Sequence, residues 1–194
     1  MDNFKLEPVD ILVNVNRGDD PVSVIKRWAL GSPYEHVFAY LGAIDFAPLD
    51  KPPLRVPMLF ESYGRGVCLR SLSERYGQEV VVMRLLSGYR EKIPQVLDEA
   101  IELASDSQAY YDYSVIIWHI IPKLIYQKLG ISPPLRYQRD ERMICSEAIL
   151  EIFHRAELAD ILLIDTVPLP GDFVTDSLLL KEVQAGILSE AWVA

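Results

Sequence analysis

The chain is poor in histidine and cysteine, and this shortage narrows the chemistry that it can carry. It has three His and two Cys in 194 residues, and no pair of them shows a metal-ligand spacing such as Cys-x-x-Cys or His-x-x-x-His. A phosphate-binding loop is lacking too, since Gly64-Arg65-Gly66 has neither the third glycine nor the following helix. We therefore expect no metal and no cofactor.

No apolar run is long enough to cross a membrane, which takes about 20 residues. The nearest candidate is residues 115–126, and His119, Pro122 and Lys123 interrupt it. We interpret this segment as a buried helix, with an interfacial or lid-like segment as the alternative. The first residues show no basic segment followed by a long apolar one, so we expect no secretory signal and a cytoplasmic location. Contact with a membrane is possible but not expected.

Acidic residues outnumber basic ones, 28 to 19, which gives a formal net charge of −9. This charge repels a phosphate backbone, so nucleic acid is not an expected partner. The length and a hydrophobic fraction of 50% are typical of a globular protein. Because no repeat or long linker interrupts the chain, we predict one domain over residues 1–194. The sequence carries no signal for an oligomeric state.

Strand-like alternation fills the first half of the chain, and helical periodicity fills the second half. Strands are expected at residues 10–15, 35–42, 56–62, 67–72 and 79–85, the last being the final strand of the prediction. Helices are expected at residues 21–30, 93–104, 115–126 and 145–156. The stripe of the second helix consists of Ile93, Val96, Leu97, Ala100, Ile101 and Ala104.

Cys145 is the candidate nucleophile, because it stands where a loop carrying Arg136, Arg139 and Arg142 turns into a helix. The first turn of a helix has the positive end of the macrodipole and unsatisfied backbone N–H groups, and both favour thiolate. The alternative is a buried, inert cysteine that fills a gap in the core. Cys68 has the context of an ordinary strand residue, and we expect both cysteines to be thiols.

A thiol nucleophile needs a base, and His36 is the candidate because the start of a strand would hold it rigidly. The next strand ends in Glu61, whose carboxylate could accept the second imidazole N–H and fix the tautomer. Each residue taken singly is more often structural. Together with Cys145, however, they have the order that a thiol triad requires.

Six short elements follow one another in a recognisable order. They are Val9-Asp10-Ile11-Leu12, Ser32-Pro33-Tyr34-Glu35-His36-Val37-Phe38-Ala39-Tyr40-Leu41-Gly42, Phe60-Glu61-Ser62 with Gly66-Val67, Tyr111-Asp112-Tyr113, Ile144-Cys145-Ser146-Glu147 and Pro168-Leu169-Pro170-Gly171-Asp172. Together they resemble the circularly permuted branch of the NlpC-type papain-like hydrolases, the YiiX-like permuted amidases. The chain departs from the family pattern at Val9, Glu35 and Ile144, where glycine, a small polar residue and tyrosine are usual.

The resemblance implies an α+β fold in which helices pack on a small antiparallel sheet. It also implies a cysteine hydrolase that cuts an amide of a peptide or cell-wall-derived substrate, with Cys145, His36 and Glu61 as catalytic residues. Residues next to them in the motifs are candidates for substrate binding, namely Tyr34, Glu35, Ser146 and Glu147. Two alternatives stay open. One is a lipid acyltransferase or ester hydrolase of the lecithin retinol acyltransferase type, and the other is a non-catalytic binding module.

Overall fold

The computed structural model describes residues 4–20, 23, 24, 27, 31–47, 50, 52–63, 66–106, 144–158, 161–163 and 167–193. The described residues of the helix expected at 21–30, which are Ser23, Val24 and Arg27, are helical. The expectations for residues 107–143 lie outside the described residues. They include the apolar segment 115–126, the Tyr-Asp element and the loop arginines before Cys145.

In the part of the chain that the structure describes, six strands form one antiparallel sheet. They are β1 (Ile11–Val15), β2 (Tyr34–Phe46), β3 (Leu54–Tyr63), β4 (Gly66–Ser71), β5 (Glu79–Leu85) and β6 (Leu180–Ile187). Their order across the sheet is β4-β3-β2-β1-β5-β6. The central strands β1 and β5 are almost wholly buried, which fits their content of Val, Ile and Leu. The first five strands lie where the sequence predicts them, and the fold is α+β.

Strand β6 corrects the prediction that residues 79–85 form the last strand. Among the described strands it pairs with β5 alone, so it lies at an edge of the sheet, and most of its side chains are exposed or half-buried. An edge strand of this kind need not alternate apolar and polar residues. A register shift against Val82 and Met83 of β5 further disrupts its pattern. The sequence therefore gives almost no strand signal at this position.

Helices cover one face of the sheet. They are α1 (Ile93–Ser105), α2 (Cys145–Arg155) and the single turn α3 (Asp172–Thr175). Both longer helices contribute to a core that also contains Val37 and Phe60. In α1 the buried side chains are Val96, Ala100 and Leu103, whereas Ile101 is 45% exposed, so its place in the predicted apolar stripe is wrong. Within the described ranges, no helix combines the length and the apolar character needed to cross a membrane.

Residues near the two ends of the chain cover the opposite face. Leu6 and Leu188 are buried there with Phe38 and Leu59, and the rings of Phe4 and Trp192 meet edge to face at 5.2 Å nearby. The two faces of β2 therefore pack into different cores. Val37 lies in the helix-side core, and Phe38 lies in the opposite core. The strand can therefore present His36 and Val37 to different surroundings.

Candidate active site

Cys145 is the first residue of α2, and the start of this helix is firmly held. The carboxylate of Glu147 accepts a hydrogen bond of 2.8 Å from the backbone N–H of Ile144. The carbonyl of Ile144 accepts the first helical bond, from the N–H of Ala148 at 3.0 Å. Such a cap stops the helix from fraying. Cys145, which is 7% exposed as a residue, is thus held at the positive end of the helix.

His36 lies between Cys145 and Glu61. Its Nε2 is 2.7 Å from Oε2 of Glu61, whose side chain is fully buried, whereas the His36 side chain is 15% exposed. The imidazole is also close enough to the thiol of Cys145 for the two groups to shift each other's pKa. Because the carboxylate engages Nε2, Nδ1 is the ring nitrogen that remains for the sulfur. The structure thus brings together the three residues that the sequence singles out as a thiol triad.

The thiol and the imidazole shift each other's pKa in the directions expected of an ion pair. Burial raises the pKa of the Cys145 thiol, but the charge and hydrogen bond of His36, helped by backbone hydrogen bonds from Val37 and Ser146, outweigh burial and lower it. Burial lowers the pKa of His36, but Cys145 and then Glu61 outweigh it and raise this pKa to about 9. Both directions favour thiolate and imidazolium over the neutral pair near neutral pH.

Two arginines that the sequence interpretation missed hold the carboxylate of Glu61. Arg75 Nη2 lies 2.5 Å from Oε2, and Arg70 Nη1 lies 3.4 Å from Oε1. Burial raises the pKa of Glu61, but the hydrogen bond and charge of His36, followed by those of Arg75, outweigh it and lower this pKa. The carboxylate therefore stays ionised although it is buried.

A signal for one of these arginines was present in the sequence. The register of β3 and β4 pairs Glu61 with Cys68, so Arg70, two residues further along β4, shares the same face. Gly64 and Gly66 suggest a hairpin in the sequence, and a hairpin that pairs Tyr63 with Gly66 gives this register. Arg75 stands in a 3₁₀ turn (Leu72–Arg75) that follows β4, and no periodicity points to it.

Cys68 is a half-buried thiol in β4, free of any disulfide. Burial, followed by the charge of Glu61 opposite it, raises its pKa. Cys145 and Cys68 therefore differ in the direction in which their surroundings shift the pKa. The contrast agrees with the different contexts of the two residues, a helix start and the middle of a strand.

Tyr34 and Glu35 lie beside His36 at the start of β2. The pairing of β2 with β1 skips Glu35, which is the extra residue of a β-bulge. Its carboxylate accepts a hydrogen bond of 2.9 Å from Asn16 Nδ2. Tyr34 is half-buried against the helix-side core, and a Cβ on Gly171 would lie 3.2 Å from its ring. Their roles toward a substrate stay predictions.

Ser146 and Glu147, the other two candidates for substrate binding, have partners inside the protein. Ser146 is fully buried, and its hydroxyl donates a hydrogen bond of 2.7 Å to the carbonyl of Pro168. Glu147 is buried and caps α2 through the N–H of Ile144. These contacts tie the cysteine helix to the turn that precedes α3.

A separate cavity of about 590 Å³ lies toward the other end of β3. Its polar lining includes Arg55, Ser71, Tyr76 and Glu190, and Cys145, His36 and Glu61 do not line it. The cavity is therefore distinct from the thiol site.

Comparison with known proteins gives a likeness in structure. No protein-family model matches the chain, and no curated protein matches it. Among solved structures, the chain is similar to a crystal structure described as the metalloprotein yiiX from Escherichia coli O157:H7, DUF1105. The TM-score is 0.57 at 17% sequence identity, over 95% of this chain and 100% of that chain. The two chains share a fold. At this identity the likeness extends to the fold alone.

Proposed function

We propose that this protein is a cysteine hydrolase that cleaves an amide bond, with Cys145 as nucleophile, His36 as general base and acid, and Glu61 as the group that orients the imidazole. The position of His36 carries this proposal, because its Nε2 lies 2.7 Å from the buried Glu61 carboxylate and its ring interacts with the Cys145 thiol and lowers the pKa of that thiol. A helix start, a base and an anionic partner of the base are the parts that an activated thiol needs.

The reaction has two steps. The thiolate of Cys145 attacks the carbonyl carbon, and the C–N bond breaks as the imidazolium of His36 gives its proton to the leaving nitrogen. A water molecule then attacks the thioester while His36 takes its proton, and the C–S bond breaks, which releases the acid and restores the thiolate–imidazolium pair. We assign stabilisation of the oxyanion in each step to the backbone N–H of Cys145 at the helix start.

A permuted papain-like architecture is part of the proposal. In this chain the histidine strand β2 and the glutamate strand β3 precede the cysteine helix α2, which is the order of the permuted branch. The shared fold with the yiiX structure supports the same architecture. The resemblance makes a peptide or cell-wall-derived amide the proposed substrate class, with Tyr34 and Glu35 as candidate substrate contacts.

A metal ion has no place in this mechanism, although the yiiX structure is described as that of a metalloprotein. Across the described residues, no group of three His, Cys, Asp or Glu side chains could hold a metal. The buried carboxylate of Glu61 lies against the guanidinium groups of Arg70 and Arg75, which repel a cation. The residues of the thiol site therefore do not fit a metal.

The test compares two single-thiol variants. Cys145→Ala should abolish hydrolysis of N-acyl amino acids and short peptides but keep the fold, because it removes one sulfur atom and alanine favours helix. Cys68→Ala should retain activity, since Cys68 lies in a strand without a base. Product is measured by mass spectrometry, with circular dichroism as the check on folding.

Labelled phospholipid in the same assay separates the lipid alternative from amide cleavage. Transfer or release of a lipid acyl chain without amide cleavage would favour a lipid acyltransferase or esterase. Equal losses of activity in Cys145→Ala and Cys68→Ala would refute the assignment of the nucleophile. A Cys145 that no thiol-directed probe labels near neutral pH would favour a binding module.

A further inference from the structure

Arg75 touches three of the groups that surround the His36 ring. Its Nη2 donates to the same Glu61 oxygen that binds His36 Nε2. Its guanidinium carbon also lies 5.6 Å from the centre of the Phe38 ring and 5.2 Å from that of Tyr63. Those two rings flank the imidazole, with ring centres 5.9 and 6.1 Å from it.

The placement of Arg75 suits a fixed role. Its side chain is 14% exposed, whereas that of Arg70 is 31% exposed and also pairs with Glu74 on the surface. A planar guanidinium can donate to a carboxylate and stack on aromatic rings at the same time, which an ammonium group cannot do equally well. Arg75 thus contacts the Glu61 carboxylate and the rings of Phe38 and Tyr63 at the same time.

We propose that Arg75 is a positioning residue of the thiol site, which holds the Glu61 carboxylate in place and so keeps the His36 ring aligned for Cys145. This inference rests on the proposed function, since it assigns Arg75 a part in the same reaction. Arg75 reaches the reacting atoms only through Glu61 and His36, and so it is not itself a catalytic residue.

The charges around Glu61 also support a positioning role for Arg75. Thiolate, imidazolium and the Glu61 carboxylate together carry one net negative charge in a buried place, and Arg75 balances it. The titratable and charged groups around Glu61 come from four elements. They are His36 of β2, Cys68 and Arg70 of β4, Glu74 and Arg75 of the 3₁₀ turn, and Cys145 of α2. Without Arg75, the Glu61 carboxylate loses a hydrogen-bond donor and its negative charge is no longer balanced. Both changes disfavour the thiolate form of Cys145.

The test measures ionisation of Cys145 and needs no knowledge of the substrate. In a Cys68→Ala background, the rate of alkylation by iodoacetamide is recorded against pH for the parent, Arg75→Gln, Glu61→Gln and the double variant. Arg155→Gln is the matched control, because Arg155 pairs with Glu151 near the far end of the same helix. Circular dichroism checks the folding of each variant.

We expect Arg75→Gln to raise the apparent pKa of Cys145 by up to about one pH unit, because the Glu61 carboxylate loses the guanidinium that holds it against His36. Arg155→Gln should leave it unchanged. In the Glu61→Gln background, loss of Arg75 should add no further change, since Arg75 acts through Glu61. An unchanged pKa in Arg75→Gln, or shifts that add in the double variant, would overturn the proposal.

The folding of the variants separates a positioning role of Arg75 from a purely structural one. If Arg75→Gln fails to fold, Arg75→Met takes its place, because it keeps an apolar stem against Phe38 and Tyr63 while it removes the charge. Unfolding of both variants would assign Arg75 to the stability of the fold and would contradict the inference. Failure of the proposed function looks different. The alkylation profiles would then respond to Arg75 while the assays with amide substrates showed no product.

Discussion

His36 combines burial with a raised pKa, two properties that usually oppose each other. Burial disfavours the imidazolium, yet the ring lies between the Cys145 thiol and the Glu61 carboxylate, and together these raise its pKa to about 9. Near neutral pH the ring therefore holds its proton. That proton is available for the leaving group as soon as the sulfur attacks, which is the role of a general acid in amide cleavage.

Glu61→Gln should reduce turnover by a factor on the order of a hundred or more, because a neutral amide neither stabilises the imidazolium nor fixes its tautomer. Glu35→Gln is the internal control. Glu35 is adjacent to His36 in sequence, but its carboxylate bonds Asn16. We therefore expect only a small loss for Glu35→Gln. The measurement is a pH–rate profile of both variants, and a larger loss for Glu35→Gln would show that the wrong carboxylate has been assigned.

Residues at the ends of regular elements were the ones that the sequence could locate. Cys145 begins a helix, and Glu61 lies near the end of an alternating apolar strand, so local patterns give their positions. Arg75 and the bulge at Glu35 had no such pattern. Their placement depends on how a turn and a register bring distant residues together, which a single sequence does not encode locally.

At the scale of elements, burial decided which strands could be predicted. Strands β1, β2, β3 and β5 each bury at least two apolar side chains, and β4 buries Val67 with Leu69 half-buried against the same core. In contrast, β6 buries only Leu180 and carries Lys181 and Glu182 on an exposed edge. Its main-chain hydrogen bonds to β5 form it without an apolar pattern. Helix α2 is the opposite case, since its apolar face is evident in the sequence and buried in the structure.

The hydroxyl of Ser146 holds α2 to the turn before α3. We expect Ser146→Ala to lower the free energy of unfolding by about 1–2 kcal/mol, because it leaves the buried carbonyl of Pro168 without this donor. Ser105→Ala is the matched control, since the Ser105 hydroxyl donates to the carbonyl of Ile101 at the same 2.7 Å but on the surface. It should change stability by less than about 0.5 kcal/mol. Urea unfolding measures both, and equal effects would contradict this role for Ser146.

At the scale of the whole molecule, the sheet separates the helix-side core from the opposite core, and the thiol site contains residues from both sides. Cys145 belongs to the helix-side core with Val37, whereas the His36 ring lies beside Phe38 of the opposite core. Cys145 reaches the imidazole from the first residue of α2, near the start of β2. The fold therefore determines where Cys145, His36 and Glu61 lie relative to one another, and their side chains determine the chemistry of the site.

Selective alkylation of the two thiols tests the central claim most directly. The intact protein is treated briefly with iodoacetamide between pH 5 and 10, and peptide mapping by mass spectrometry gives the rate at each cysteine. Cys68 is the more exposed thiol, so accessibility alone favours it. A nucleophilic Cys145 should nevertheless react first, well below the pH of about 8.5 at which an ordinary thiol is half ionised, and His36→Ala should remove this advantage. Faster reaction of Cys68 at neutral pH, or a Cys145 profile that His36→Ala leaves unchanged, would contradict the account.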